Sequence, residues 1–317
     1  MEFKKYISLE NHYQQKYIDI FLEIYPELKN ETYIIQEKIH GANIQLDFDS
    51  KGNFKYGKRT SFVEVDQKFY NIHNVIKDYD LFIQVMKDHA VREGCELRIY
   101  GELYGSKVQK GVDYGIEGQK LLFFDASVNG LYLTPREFIS LMTDYGFKDY
   151  VVPTVEIAGS LQEALDCNTE FSSLVNPIPD NICEGVVIKP YNKQYFSPVG
   201  SIFYIKKKNE KFKEINKPKD KNQMPKKPLT EYEQKALKLN KIFKGYITKN
   251  RIEGIFSKYG EIEEPKQISE YIKYVLEDAK EDFLKDHEID FEVFNKKEEK
   301  MIFNVGSMIP LMLKEYL

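Results

Sequence analysis

No apolar run in this chain approaches the ~20 residues that a membrane-spanning helix needs, so no span is expected. The first residues, Met1-Glu2-Phe3-Lys4-Lys5-Tyr6, lack the apolar core of a secretory leader, and none is expected. Cysteine is scarce. Cys95, Cys167 and Cys183 stand far apart, form no metal-ligand spacing, and their odd number argues against a disulfide framework. A reducing compartment is the expected setting, either the cytoplasm or, for a viral protein, the host-cell interior. Neither sign of charge dominates, the net charge being −4.

What is present is an ordinary globular balance, 42% hydrophobic and 30% charged over 317 residues, and two domains are the natural expectation at that length. The near-neutral total hides an asymmetry. Residues 201–230 hold ten lysines against three acids, whereas 231–317 hold fifteen Lys and Arg against eighteen Asp and Glu. Nucleic-acid binding stays open, because only the contacting face must be basic.

The most informative stretch is Glu37-Lys38-Ile39-His40-Gly41-Ala42-Asn43, after the strand-like run Tyr33–Gln36. Strand side chains alternate, so Lys38 and His40 point one way and Ile39 the other, and Gly41 lets the chain turn. A lysine so presented suits nucleophilic attack on a phosphate, since desolvation and nearby cations can free an amine's lone pair.

Around it, residues 11–28 carry apolar side chains at near-helical spacing up to Pro26. Asn43–Phe48 alternates, Ser50–Asn53 is a turn, and Phe54–Val65 is expected to return as a strand bearing Arg59. Residues 66–92 read as one or two helices, and Glu96–Glu102 and Lys120–Val128 as strands. Thr134-Pro135-Arg136-Glu137 is a capping box that opens a helix, and Ser160-Leu161-Gln162-Glu163 opens another. On the strand Ile182–Lys189, Glu184 shares a face with Val186 and Ile188, and regular alternation puts Lys189 on the other face. On Phe203–Lys208, Lys206 and Lys208 share a face and Lys207 points away. Asn216–Pro228 reads as a Lys/Pro-rich linker, and a helical stripe from Ile268 to Leu284 follows it.

Six segments in order carry a resemblance. Beside Glu37–Asn43 they are Gly57-Lys58-Arg59-Thr60-Ser61, Tyr100-Gly101-Glu102-Leu103-Tyr104-Gly105, Leu122-Phe123-Phe124-Asp125, Glu184–Pro190 and Ile205-Lys206-Lys207-Lys208-Asn209. Together with Val108–Tyr114 they resemble the ATP-dependent RNA ligases of the phage RNA ligase 2 and trypanosome RNA-editing ligase family. The resemblance covers roughly residues 30 to 215.

It implies an α+β chain. A twisted antiparallel β nucleotidyltransferase domain flanked by helices (1–215) would be followed by a linker (216–228) and a small all-α C-terminal domain (229–317). It implies that Lys38 takes AMP from ATP, with Glu184, Lys206 and Lys208 also catalytic. Glu37, His40, Arg59, Glu102 and Lys189 would join them around the nucleotide. Phe124 would stack on adenine, with Phe123 as the alternate. Asn43 and Arg59 would meet RNA, and Glu184 would hold Mg²⁺ (or Mn²⁺) through water. The partners implied are ATP and RNA with 3′-hydroxyl and 5′-phosphate ends, with no membrane, and a monomer is favoured. RNA rather than DNA follows from Lys-x-His-Gly, since DNA ligases and capping enzymes usually place Asp before the glycine. A DNA ligase, an mRNA-capping guanylyltransferase, or an inactive RNA-binding module of the same fold are the alternatives.

Overall fold

The computed structural model describes residues 1–212 and 230–316. These divide into two compact units, one of Met1–Phe212 with Ser257–Gly260 and one of the remaining residues. The expected boundary at 215 and linker 216–228 lie outside the described residues.

The first unit is built on two sheets of five strands. In chain order the strands are β1 (Glu10–Asn11), β2 (Tyr33–Glu37), β3 (Ala42–Phe48), β4 (Phe54–Lys58), β5 (Leu97–Gly105), β6 (Gln119–Val128), β7 (Leu131–Tyr132), β8 (Thr154–Ala158), β9 (Gly185–Pro190) and β10 (Ile205–Lys208). One sheet has the order β1-β10-β9-β2-β8 and the other β4-β3-β5-β6-β7. The pairings are antiparallel apart from β1 with β10. The chain crosses from the first sheet to the second between β2 and β3, at residues 38–41.

Alternation gives each sheet one apolar face. Tyr33, Ile35, Val186, Ile188 and Ile205 bury against Ile18 and Phe21 of helix α1 (Gln15–Ile24). Ile44, Leu46, Phe48, Leu97, Ile99 and Phe123 bury under helices α2 (Ile72–Asp78), α3 (Asp80–Glu93) and α4 (Pro135–Asp144). The capping box at Thr134 is formed, with Pro135 at the helix start. Ser160 caps α5 (Leu161–Asp166) by accepting from the Glu163 amide. The helix-free faces of the two sheets meet where Lys189 of β9 donates to Asp125 of β6 at 2.8 Å.

Two strand boundaries differ from expectation. β4 stops at Lys58 because the Lys58 amide donates to the Ser61 carbonyl at 2.9 Å, which closes a turn. Arg59 is therefore in that turn and not on the strand. β9 begins only at Gly185, so Glu184 precedes it.

The second unit is helical, with α6 (Glu231–Lys244), α7 (Lys249–Tyr259) up to Phe256, α8 (Ile268–Asp286), α9 (Lys296–Ile302) and α10 (Met308–Leu313). Its buried seam on α8 is Tyr271, Val275, Ala279 and Phe283, four residues apart each time. Leu284, part of the expected stripe, is exposed. Among the described residues, no helix is long and apolar enough to cross a membrane.

Candidate active site

Glu184 is the centre of the site. Its Oε2 accepts from Lys38 Nζ at 2.8 Å and lies 3.2 Å from His40 Nδ1, and its Oε1 lies 3.1 Å from Lys208 Nζ. Burial pushes this carboxyl up, but Lys38, Lys208 and His40 more than offset that and hold it well below the usual range. Lys38 and His40 thus point together, as alternation implied. Ile39 turns the other way, into a cluster with Tyr104, Val112 and Val152. The His40 amide donates to the Tyr114 hydroxyl at 2.6 Å, and His40 Nε2 lies 2.9 Å from the Lys110 carbonyl.

Gly185 explains how Glu184 and Lys189 serve one cleft. Val186 and Ile188 lie in the helix-covered core, so Val187 and Lys189 face the cleft. Regular alternation would send Glu184 into the core with Val186. Gly185 has φ +147, which side-chain-bearing residues rarely adopt, and this redirects Glu184 to the cleft. A Cβ there would stand 2.2 Å from the Lys207 carbonyl oxygen. On β10, register pairs Lys206 with Val187 and Lys208 with Gly185, on the cleft side. Lys207 turns away and donates to the Leu165 and Cys167 carbonyls at 2.7 Å.

The second sheet supplies the opposite wall. Asn43 and Glu102 are cross-strand partners on its helix-free face. Glu102 keeps some exposure but is surrounded by protein. Burial pushes its carboxyl up to about 8, against the pull of Lys38, Arg59 and Lys208. Arg59 Nη2 donates to the Ile7 carbonyl at 3.1 Å, and its guanidinium lies over the Tyr6 ring at 5.6 Å. Asn43 Nδ2 lies 3.4 Å from the Gly101 carbonyl.

The two phenylalanines of β6 divide as a strand requires. Phe123 is fully buried and stacks on Phe82 at 4.8 Å, so it is core. Phe124 is partly exposed on the cleft face, with Lys189 5.5 Å from its ring centroid. Lys189 itself is buried, bonded to the Phe124 carbonyl at 2.9 Å and to Asp125. It therefore holds β9 to β6. Glu37 is not brought to the group around Glu184. Its carboxylate faces the other way and accepts from the Ser173 hydroxyl at 2.6 Å and the Leu174 amide at 2.8 Å.

The sequence profile of the RNA ligase family matches residues 31–208, more than half of the chain. The chain belongs to the RNA ligase family. The profile described as T4 RNA ligase 2 C-terminal matches residues 230–307 in the helical unit. Among solved structures, a Naegleria gruberi RNA ligase with PPi is 19% identical at a TM-score of 0.48, over 66% of this chain and 57% of that one. A mutant of the same ligase with ATP and Mn is 18% identical at 0.47, over 67% and 58%. This chain therefore spans less than two thirds of the length of those enzymes.

For this RNA ligase family member, three parts of the site escaped sequence reasoning. Tyr6 is buried in the cleft. Its hydroxyl donates to Asp125 Oδ2 at 2.5 Å, and its ring lies 4.8 Å from Tyr100 and 5.2 Å from Phe124. Asp125 carries both Tyr6 and Lys189, although its place beside Phe124 was its only signal. Tyr114 anchors the turn at His40, and the stretch Val108–Tyr114 had drawn notice only by resemblance.

Proposed function

We propose that the chain is an ATP-dependent RNA ligase that joins 3′-hydroxyl and 5′-phosphate RNA ends, at nicks in duplex RNA, through a lysyl-AMP intermediate. One observation carries the reading: the Lys38 amine is fixed by Glu184 beside a second lysine, Lys208, and the His40 ring, at 2.8, 3.1 and 3.2 Å from that carboxylate. Phosphoryl transfer needs in-line placement and charge neutralisation, and this group can supply both.

Lys38 Nζ, once deprotonated, attacks the α-phosphorus of ATP. A P–N bond forms and the bond to pyrophosphate breaks. Glu184 orients the amine and is a poor base, because its neighbours hold its carboxyl well below the usual range. Lys206 and Lys208 neutralise the α-phosphate, and His40 faces the leaving pyrophosphate. Arg59 and Glu102 hold the sugar and phosphate, and Phe124 carries the base. Lys189 acts on the nucleotide by bracing Phe124 and Asp125. Glu37 acts indirectly, by accepting from the Ser173 hydroxyl and the Leu174 amide and so tying that loop to β2. AMP then moves to the RNA 5′-phosphate, and the 3′-hydroxyl displaces it near Asn43 and Arg59. The helical unit serves recognition of the ends.

Oxygen donors suit Mg²⁺ or Mn²⁺, and Glu184 is a carboxylate held ionised by Lys38, Lys208 and His40, near enough to Glu102 to raise that residue's proton affinity. Glu184 would hold the ion through water, and the ion would supply neutralisation of the triphosphate. A monomer in the cytoplasm, or a viral protein in the host-cell interior, completes the reading.

The test is incubation with α-labelled ATP and Mg²⁺, then denaturing electrophoresis. A labelled band that is lost in Lys38→Ala and discharged by nicked duplex RNA supports the ligase. Label from GTP instead points to a capping enzyme, and discharge only by nicked DNA points to a DNA ligase. No label from any nucleotide points to a binding module.

A further inference from the structure

We propose that Phe212 is a positioning residue of the adduct-forming step, which it serves by fixing the His40 ring for the leaving pyrophosphate. The inference rests on the ligase reading, which places His40 beside that group. After β10 the chain bends sharply. The Asn209 amide donates to the Glu184 carbonyl at 2.8 Å, and the Phe212 amide to the Asn209 carbonyl at 2.9 Å. The short helical turn Glu210–Phe212 is thereby anchored at Glu184, the residue that His40 faces. The Phe212 side chain is buried with Ile39, Tyr104, Val112 and Tyr114, so it shares one apolar cluster with the neighbour of His40 in the nucleophile turn.

Phe212 meets His40 edge to face, with ring centroids 4.9 Å apart and planes inclined at 65°. The imidazole has two other holds, the Glu184 carboxylate 3.2 Å from Nδ1 and the Lys110 carbonyl 2.9 Å from Nε2. The second of these also leans on Phe212. Gly111, next in chain to Lys110, has φ +114, and a Cβ there would stand 3.0 Å from Phe212 Cε1. Lys211 Nζ donates to the Gly111 carbonyl at 3.2 Å. Two consecutive residues of one turn therefore press on the His40 ring and on the loop that meets its Nε2. Two contacts at the ring nitrogens leave the ring free to rock about the line between them, and the Phe212 ring removes that freedom. A side chain that must meet a leaving group in line gains from such restraint, because a misplacement of about 1 Å can cost about 100-fold in rate.

The test starts from the lysyl-AMP form of the full chain, made with α-labelled ATP and then freed of nucleotide and pyrophosphate. Two reactions break the same bond between Lys38 Nζ and phosphorus. Added pyrophosphate takes the AMP back as ATP, through the transition state of adduct formation run in reverse. The 5′-phosphate of nicked duplex RNA takes it as RNA-adenylate, with no pyrophosphate present. Phe212→Leu should slow the return to ATP by about 10- to 100-fold and leave transfer to RNA within about 3-fold of wild type. Gly111→Ala, which pushes on the same ring from its other side, should show the same selective loss, and it carries the comparison alone if Phe212→Leu does not fold. Equal slowing of both reactions would mean that Phe212 only supports the turn that holds Lys38. An unchanged return to ATP would mean that it does not act on His40. Either result overturns the assignment and leaves the ligase standing. A wild-type chain that takes no label from ATP, or whose label RNA does not discharge, would remove the ligase reading and this inference together.

Discussion

Lys38 Nζ and Glu184 Oε2 meet at 2.8 Å across 146 residues of chain. The carboxylate proposed to organise a metal ion also grips the nucleophile, and it separates Lys38 from Lys208. Glu184→Gln keeps the shape and removes the charge, leaving these cations to repel one another. Label transfer to Lys38 should fall by at least about 100-fold, the scale seen when one preorganised charge contact is lost. Transfer within about 3-fold of wild type would show that Glu184 is dispensable to the adduct step. Breaking a buried pair this way should also cost about 3–5 kcal/mol of stability, read by urea denaturation.

Glu102 gives the site a pH dependence with a defined sign. Its carboxyl titrates near 4.5 in the unfolded chain and is pushed up to about 8 by burial in the native fold. Between those values the native state holds the proton and the unfolded state does not. Stability therefore falls as pH rises from 4.5 to about 8, then levels. At about 1.4 kcal/mol per unit, less a discount for residual exposure, the span is a few kcal/mol. In Glu102→Gln the slope above about pH 6 should vanish, while the fall below it that the raised Asp47 contributes should stay. Denaturation midpoints at about pH 6 and about pH 9 give the comparison. A slope that survives between them in the variant assigns it to another group.

Gly185→Ala tests the redirected strand. Alanine at φ +147 is strained, and its Cβ would meet the Lys207 carbonyl oxygen at 2.2 Å. The pairing of β9 with β10 must then shift, carrying Lys208 and Glu184 with it. A loss of roughly 2–4 kcal/mol is expected, together with loss of the adduct. An alanine variant with wild-type stability and labelling would mean that Glu184 reaches the cleft by other means.

In the helical unit, Arg251 is a buried side chain paired with Asp278 and Asp282, and its Nε donates to the Tyr246 carbonyl at 2.8 Å. Arg251→Met leaves two carboxylates without their cation. Unfolding of this unit should become easier by about 3–5 kcal/mol, which calorimetry would resolve as an earlier transition. Asp278→Asn should cost less, since Asp282 still holds the guanidinium at 2.8 Å.

What the sequence made legible were features with a local period. Alternation placed Lys38, His40, Lys206 and Lys208 on one side, and the Thr134 capping box opened its helix as read. It failed where a single glycine breaks the period: Glu184 and Lys189 seemed to face apart because the φ of Gly185 is not written in hydrophobicity. The division of labour between Phe123 and Phe124 stayed open for another reason. Either face of β6 reads as apolar until Phe82 is seen to cover one of them. The segment before β1 has no period at all, since its partners are Arg98, Arg59 and Asp125, far away in sequence.

That segment gives the last prediction. The Glu2 carbonyl accepts from Arg98 at 3.0 Å and the Ile7 carbonyl from Arg59, with Tyr6 between them against Tyr100 and Phe124. The chain then enters β1 and pairs with β10 of the other sheet. It thus straps the two walls of the cleft together beside Phe124 and Arg59. Tyr6→Ala removes a buried ring and should cost about 3–5 kcal/mol, with weaker nucleotide use because Phe124 and Arg59 lose their support. Tyr6→Phe keeps the ring and removes one donor from the buried Asp125, at a cost of about 1–3 kcal/mol. The two variants should therefore separate. Tyr6→Phe is expected to keep near-normal KM for ATP at reduced stability, and Tyr6→Ala to raise KM as well. Equal KM in both would mean that the ring does not shape the nucleotide site, and would leave the strap a purely structural tie.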